Sequence, residues 1–204
     1  MKTEKMIISS REIGMPEALA ATEALGTECG LERKQMLHLR LLTEELFGML
    51  RGIAGELEAD YWVEYEGKSF ELHMKSNIMM TDEMRSQLLS ASSSGENAAA
   101  KGFMGKLRVL IAEALFTRTP YDSQMAAGMS IGMMSMDGMS MQDTFDFYWS
   151  MDRYMNEVKT QMADSADAAE AWDELEKSIV ANIADEVNVR ILGSNVEIIV
   201  AKSF

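Results

Sequence analysis

"EVNVRILGSNVEIIVAK", residues 186–202, alternates apolar and polar side chains on either side of Gly193-Ser194. That period of two marks a pair of half-buried strands, and glycine at the first of two turn positions suits a type II′ hairpin. Such a turn pairs Ile191 with Val196, Val189 with Ile198 and Val187 with Val200. All six then point one way and need a layer of helices to cover them. A second hairpin follows the same rule in "DYWVEYEGKSFELHMK" (60–75). Tyr61, Val63 and Tyr65 share one of its faces with Phe70, Leu72 and Met74. Its turn falls at Glu66-Gly67 or at Gly67-Lys68. The second choice sets Glu64 against Glu71, a like-charge pair, so the first is expected.

Around these hairpins the period changes to that of helices. "KMIISS" (5–10) reads as a short strand. "MPEALAATEAL" (15–25) reads as a helix with Pro16 in its first turn, ended by Gly26 and Gly30. A longer helix runs from about Leu31 to Ile53, with Leu39, Leu42, Leu46, Met49, Leu50 and Ile53 on one stripe. A short capped helix is expected at 81–90, a polar loop at 90–102, and helices at 103–116, 144–162 and 167–186. The sum is a two-layer α+β sandwich in one domain, 1–204. Its mixed or antiparallel sheet has about five strands, covered on one face by helices. A methionine-rich helical insertion or lid is expected at about 120–165. No internal repeat stands out.

The chain has 204 residues and a formal net charge of -14, with no basic cluster, which argues against a general nucleic-acid binder. Its single cysteine, Cys29, rules out a disulfide within the chain. No signal-type N-terminus and no membrane-length apolar run are seen, so a cytoplasmic protein without a membrane partner is expected.

The stretch "LLTEELFGMLRGIAG" (41–55) places glycines at 48, 52 and 55 inside the helical pattern. Glycine in a helix interior costs about 1 kcal/mol relative to alanine. On a helical wheel Glu44, Gly48, Arg51, Gly52 and Gly55 lie roughly opposite the apolar stripe. They outline a shallow, backbone-lined groove that a ligand or another segment would fill. The alternative is that Glu44 and Glu45 are solvated charges and the glycines let helices pack closely.

The order of elements resembles the histidine-kinase-like (GHKL) ATPase fold, in particular the small serine kinases of the anti-sigma-factor type. The likeness is carried by "GLERKQMLHLRLLTEELFGMLRGI" (30–53) and "ANIADEVNVRILGSNVEIIVAKSF" (181–204). In that family a helical Glu polarises a nucleophile, and an Asn four residues later holds Mg²⁺. Glu44 matches the Glu, as the candidate catalytic residue, but Gly48 stands where the Asn belongs. The family's Asp-x-Gly-x-Gly box, whose Asp reads adenine, is missing from "MKSNIMMTDEM" (74–84), where Asn77 is the nearest polar substitute. "KGFMGKLRV" (101–109) keeps Gly102 and Gly105 ahead of a helix, an echo of the family's glycine-rich phosphate segment. The resemblance therefore implies a degenerate nucleotide groove made by Gly48, Arg51, Gly52, Asn77, Gly102 and Gly105. Mg·ATP is the cofactor it implies, bound weakly or not at all.

"MAAGMSIGMMSMDGMSM" (125–141) holds seven methionines. Met125, Met129, Met133 and Met136 fall on one helical face, as a soft core or lid or as an adaptable partner surface. Cu(I) ranks well behind both, since no Cys or His accompanies the thioethers. His38 and His73 are isolated along the sequence, and no spacing typical of a metal site exists, so no metal is expected. The expected function is regulatory, through a protein partner that the resemblance identifies as a sigma factor or an anti-sigma antagonist. An active ATP-dependent serine kinase and a purely structural or dimerisation domain are the alternatives, with homodimerisation left open.

Overall fold

The computed structural model describes residues 1–52, 56–79, 81, 103–116, 146–163 and 165–204. Among them the chain forms β1 (Met6–Ser9), α1 (Met15–Glu28), α2 (Arg33–Gly52), β2 (Glu58–Glu66), β3 (Ser69–Asn77), α3 (Phe103–Phe116), β4 (Asp146–Ser150), α4 (Met151–Gln161), α5 (Ala166–Lys177), α6 (Ile179–Ile183), β5 (Glu186–Leu192) and β6 (Asn195–Ser203). The fold is α+β. Among the described residues one sheet has six strands in the order β1-β2-β3-β6-β5-β4, and every neighbouring pair is antiparallel.

Both hairpins form on the expected faces. Ile191 faces Val196, Val189 faces Ile198 and Val187 faces Val200. Gly193 has φ 65 and Gly67 has φ 59, the left-handed conformation required at the first turn position. The register of the first hairpin differs from the expected one. Tyr65 faces Phe70 and Glu64 faces Glu71, so the turn is Gly67-Lys68. The like-charge pair is tolerated because Glu64 has Lys2 Nζ at 3.0 Å and the Glu71 side chain is 57% exposed to water. The turn conformation then decides the register.

The core side of the sheet meets the stripe of α2. Leu39, Leu42, Leu46, Met49 and Leu50 are all fully buried, in one cluster with Tyr61, Val63, Phe70, Leu72, Val189 and Ile198. One polar knot sits in this layer. Thr22 donates to the Ala18 carbonyl at 2.9 Å, so the Tyr61 hydroxyl donates to Thr22 at 2.7 Å. Phe47 closes edge-on against the Tyr61 ring, with centroids 4.9 Å apart.

Three expected elements change. The helix expected at 144–162 opens instead with β4, where Phe147 and Trp149 face Ile191 and Val189 and join the core. Aromatic alternation favours a strand there, and Ser150 then caps α4 by accepting from Arg153 N. The sheet therefore has six strands rather than five. The helix expected at 167–186 breaks at Ser178, which is extended (φ -78, ψ 125) and accepts from Ala181 N to start α6. Gly26 does not end α1 but lies inside it. A β-carbon there would come 2.8 Å from the Met36 methyl, so its lack of a side chain lets α2 pack closely.

The order strand, helices, hairpin occurs twice, as β1-α1-α2-β2-β3 and as β4-α4-α5-α6-β5-β6. The two halves join where β3 meets β6. Ser69 faces Ser203 and Asn77 faces Asn195, centred on the pair His73 and Ile199. This near two-fold arrangement is carried by the pattern of elements and not by residue identity.

Candidate functional site

Three of the residues expected to frame a nucleotide groove, Glu44, Gly48 and Asn77, have partners of their own. Glu44, one turn before Gly48 on α2, accepts from Arg40 Nε at 2.9 Å, and the same guanidinium reaches Glu23 of α1 at 3.0 Å. The two carboxylates raise the pKa of Arg40, first through its hydrogen bond to Glu44. Glu44 thus helps tie α2 to α1 across a half-exposed surface. The Gly48 carbonyl accepts from Arg108 of α3 at 2.9 Å. Among the described residues, α3 is thus a segment that meets the Gly48 backbone.

Asn77 ends β3, where its amide donates to Ser194 Oγ at 2.8 Å and to Asn195 Oδ1 at 3.3 Å. It also lines an open depression of about 500 Å³ with Arg11, Leu57 and Glu58. Glu44, Gly48 and Asn77 share no hydrogen-bond partner among the described residues. Arg51 and Gly52 are the last residues of α2, and Gly105 is a buried residue of α3. Gly102 and Met125, Met129, Met133 and Met136 lie outside the described residues, as do the loop expected at 90–102 and, beyond Thr81, the short helix expected at 81–90.

A different cluster forms on the sheet face opposite the core, where sequence spacing gave no signal. Trp62 of β2 and His73 of β3 face each other in register and stack, with centroids 4.8 Å apart and planes 10° apart. Lys2 and Lys5 place their ammonium groups 4.5 and 4.7 Å from the Trp62 ring. Glu64 Oε1 accepts from both Lys2 Nζ and Trp62 Nε1 at 3.0 Å. These hydrogen bonds, Lys2 first, hold the Glu64 carboxyl below its usual range.

His73 is 6% exposed. Its Nδ1 lies 3.3 Å from Glu197 Oε1 of β6. A carboxylate only accepts, so Nδ1 carries the proton. Nε2 is buried without a hydrogen-bond partner, 3.5 Å from Glu71 Oε2. One ligand atom each from Glu64, Glu71 and His73 lie within 4.8 Å of one another. Only the register of β2 on β3, together with β6 behind them, assembles this group. The expectation of no metal rested on local spacing, which does not see across strands.

Among the described residues no helix is long and apolar enough to cross a membrane. No protein-family model matches the chain, and neither the curated proteins nor the solved structures contain a significant match.

Proposed function

We propose that this chain is a regulatory protein of degenerate histidine-kinase-like type that acts by binding a protein partner and holds ATP weakly or not at all. The observation that carries the proposal is the Arg108 hydrogen bond to the Gly48 carbonyl, 2.9 Å long. The family's metal-holding Asn would stand at Gly48, which has no side chain, and a guanidinium of the protein itself takes the backbone there. Glu44, the counterpart of the polarising carboxylate, is committed to Arg40. Both contacts support weak or absent binding of Mg·ATP. The net charge of -14 favours a partner with a basic surface.

A sigma factor or an antagonist of an anti-sigma factor is the partner class that the family resemblance supplies. The experiment is size-exclusion chromatography of the protein mixed with the sigma factors and anti-sigma antagonists of its source, with and without Mg·ATP. One of them is expected to co-elute in both conditions. Co-elution that requires Mg·ATP, or none with any of them, contradicts the proposal.

A further inference from the structure

We infer that Glu64, Glu71 and His73 form a binding site for one zinc-class divalent transition-metal ion on the sheet face opposite the core. His73 is the buried member of the group. Its Nδ1 proton is directed at Glu197, so in the neutral ring Nε2 presents a lone pair. That lone pair is buried, has no hydrogen-bond partner, and faces the Glu71 carboxylate at 3.5 Å. Two electron-rich atoms so close repel unless a positive charge stands between them, either a metal ion or a second ring proton, and the test below separates the two. A buried polar atom without a partner also carries a desolvation penalty that a bound ion would remove.

The geometry suits zinc. Tetrahedral ligands with bonds of ~2.0–2.2 Å stand about 3.3 Å apart, close to the Nε2–Oε2 separation already present. Glu64 completes the set, with all three ligand atoms inside 4.8 Å. The bonds from Lys2 and Trp62 both fall on Oε1 of Glu64, and Oε2 takes neither. One imidazole and two carboxylates leave a fourth position for water, the pattern of an open site. The nitrogen ligand selects zinc-class metals over Mg²⁺ and Ca²⁺, which take oxygen. Glu197 is a positioning residue, since a carboxylate behind a ligating histidine fixes its tautomer and ring orientation.

The test is calorimetric titration of ZnCl₂ into the protein in a non-chelating buffer, repeated with Glu71→Gln, Glu197→Gln and His73→Gln. Glu71 has 57% of its side chain exposed, so its amide variant keeps the fold even if the His73 variant does not. The wild type is expected to bind one Zn²⁺ per chain and to ignore Mg²⁺. Glu71→Gln is expected to weaken binding at least tenfold, and Glu197→Gln about tenfold. Absence of one-to-one binding, or equal affinity in the Glu71→Gln protein, overturns the site. So does a ¹⁵N spectrum in which His73 Nε2 carries a proton in the presence of Zn²⁺, because the ring is then an imidazolium paired with its carboxylates.

Discussion

Arg108 of α3 donates to the carbonyl of Gly48 in α2 at 2.9 Å, joining two helices through a backbone atom that also belongs to a helix ladder. A charged donor makes this bond stronger than an ordinary one. Arg108→Ala is expected to lower stability by about 1 to 3 kcal/mol. Urea unfolding measures it. A midpoint equal to that of the parent means that α3 is held without the contact.

Val189 is fully buried on β5 and faces Ile198. Val189→Asp puts an unpaired carboxylate into the core and should cost about 3 kcal/mol or more. Thermal melting checks the outcome. A variant that melts with the parent would place the core on the other face of the terminal hairpin.

Burial pushes the Tyr61 phenol up to about 12 from its usual 10, against the opposing hydrogen bonds of Thr22 and Thr43. The unfolded chain therefore releases this proton first. Stability owed to the neutral phenol is intact below pH 10 and is lost as pH rises through 12, by about 2 to 3 kcal/mol. Tyr61→Phe should be slightly less stable at neutral pH and lose less on going to pH 12. Unfolding curves across that range provide the check, and equal alkaline losses in both proteins would contradict it.

Gly26 sits where α1 crosses α2, with the Met36 methyl 2.8 Å and Leu39 Cδ2 3.1 Å from the place a β-carbon would take. The Met36 methyl is the free end of a flexible chain and can move. Gly26→Ala should then lie within about 1 kcal/mol of the parent, since better helix propensity offsets the crowding. Gly26→Leu overpacks the crossing and should cost about 1 to 3 kcal/mol. Thermal melts of the pair decide, and a stabilised leucine variant would mean that the helices do not meet there.

Much of the fold was legible because burial leaves a periodic trace. Leu39 to Leu50 repeat at the helical period and are buried as a stripe, while Val187 to Val200 alternate and line one side of the sheet. The missed pieces are those where two signals compete. β4 is five residues long and runs straight into an amphipathic helix, so Phe147 and Trp149 were absorbed into the helical pattern. Ser178 ends one helix and caps the next without glycine or proline to mark the break. The Glu64–Glu71 register was missed because its compensation comes from Lys2, more than sixty residues away in sequence. The candidate site was the least legible of all. Glu64, Glu71 and His73 meet only across a hairpin, with Glu197 arriving from a third strand.

The account turns on the place of Gly48, and nucleotide binding tests it most directly. Calorimetric titration of Mg·ATP into the protein, to millimolar concentration, should show no saturable heat, which places any Kd above about 1 mM and any binding below about 4 kcal/mol. The same titration into Arg108→Ala should also remain flat, because removing the guanidinium does not supply the absent Asn side chain at position 48. A one-to-one isotherm with a micromolar Kd in the wild-type protein would contradict the account and make this chain a working nucleotide-binding protein.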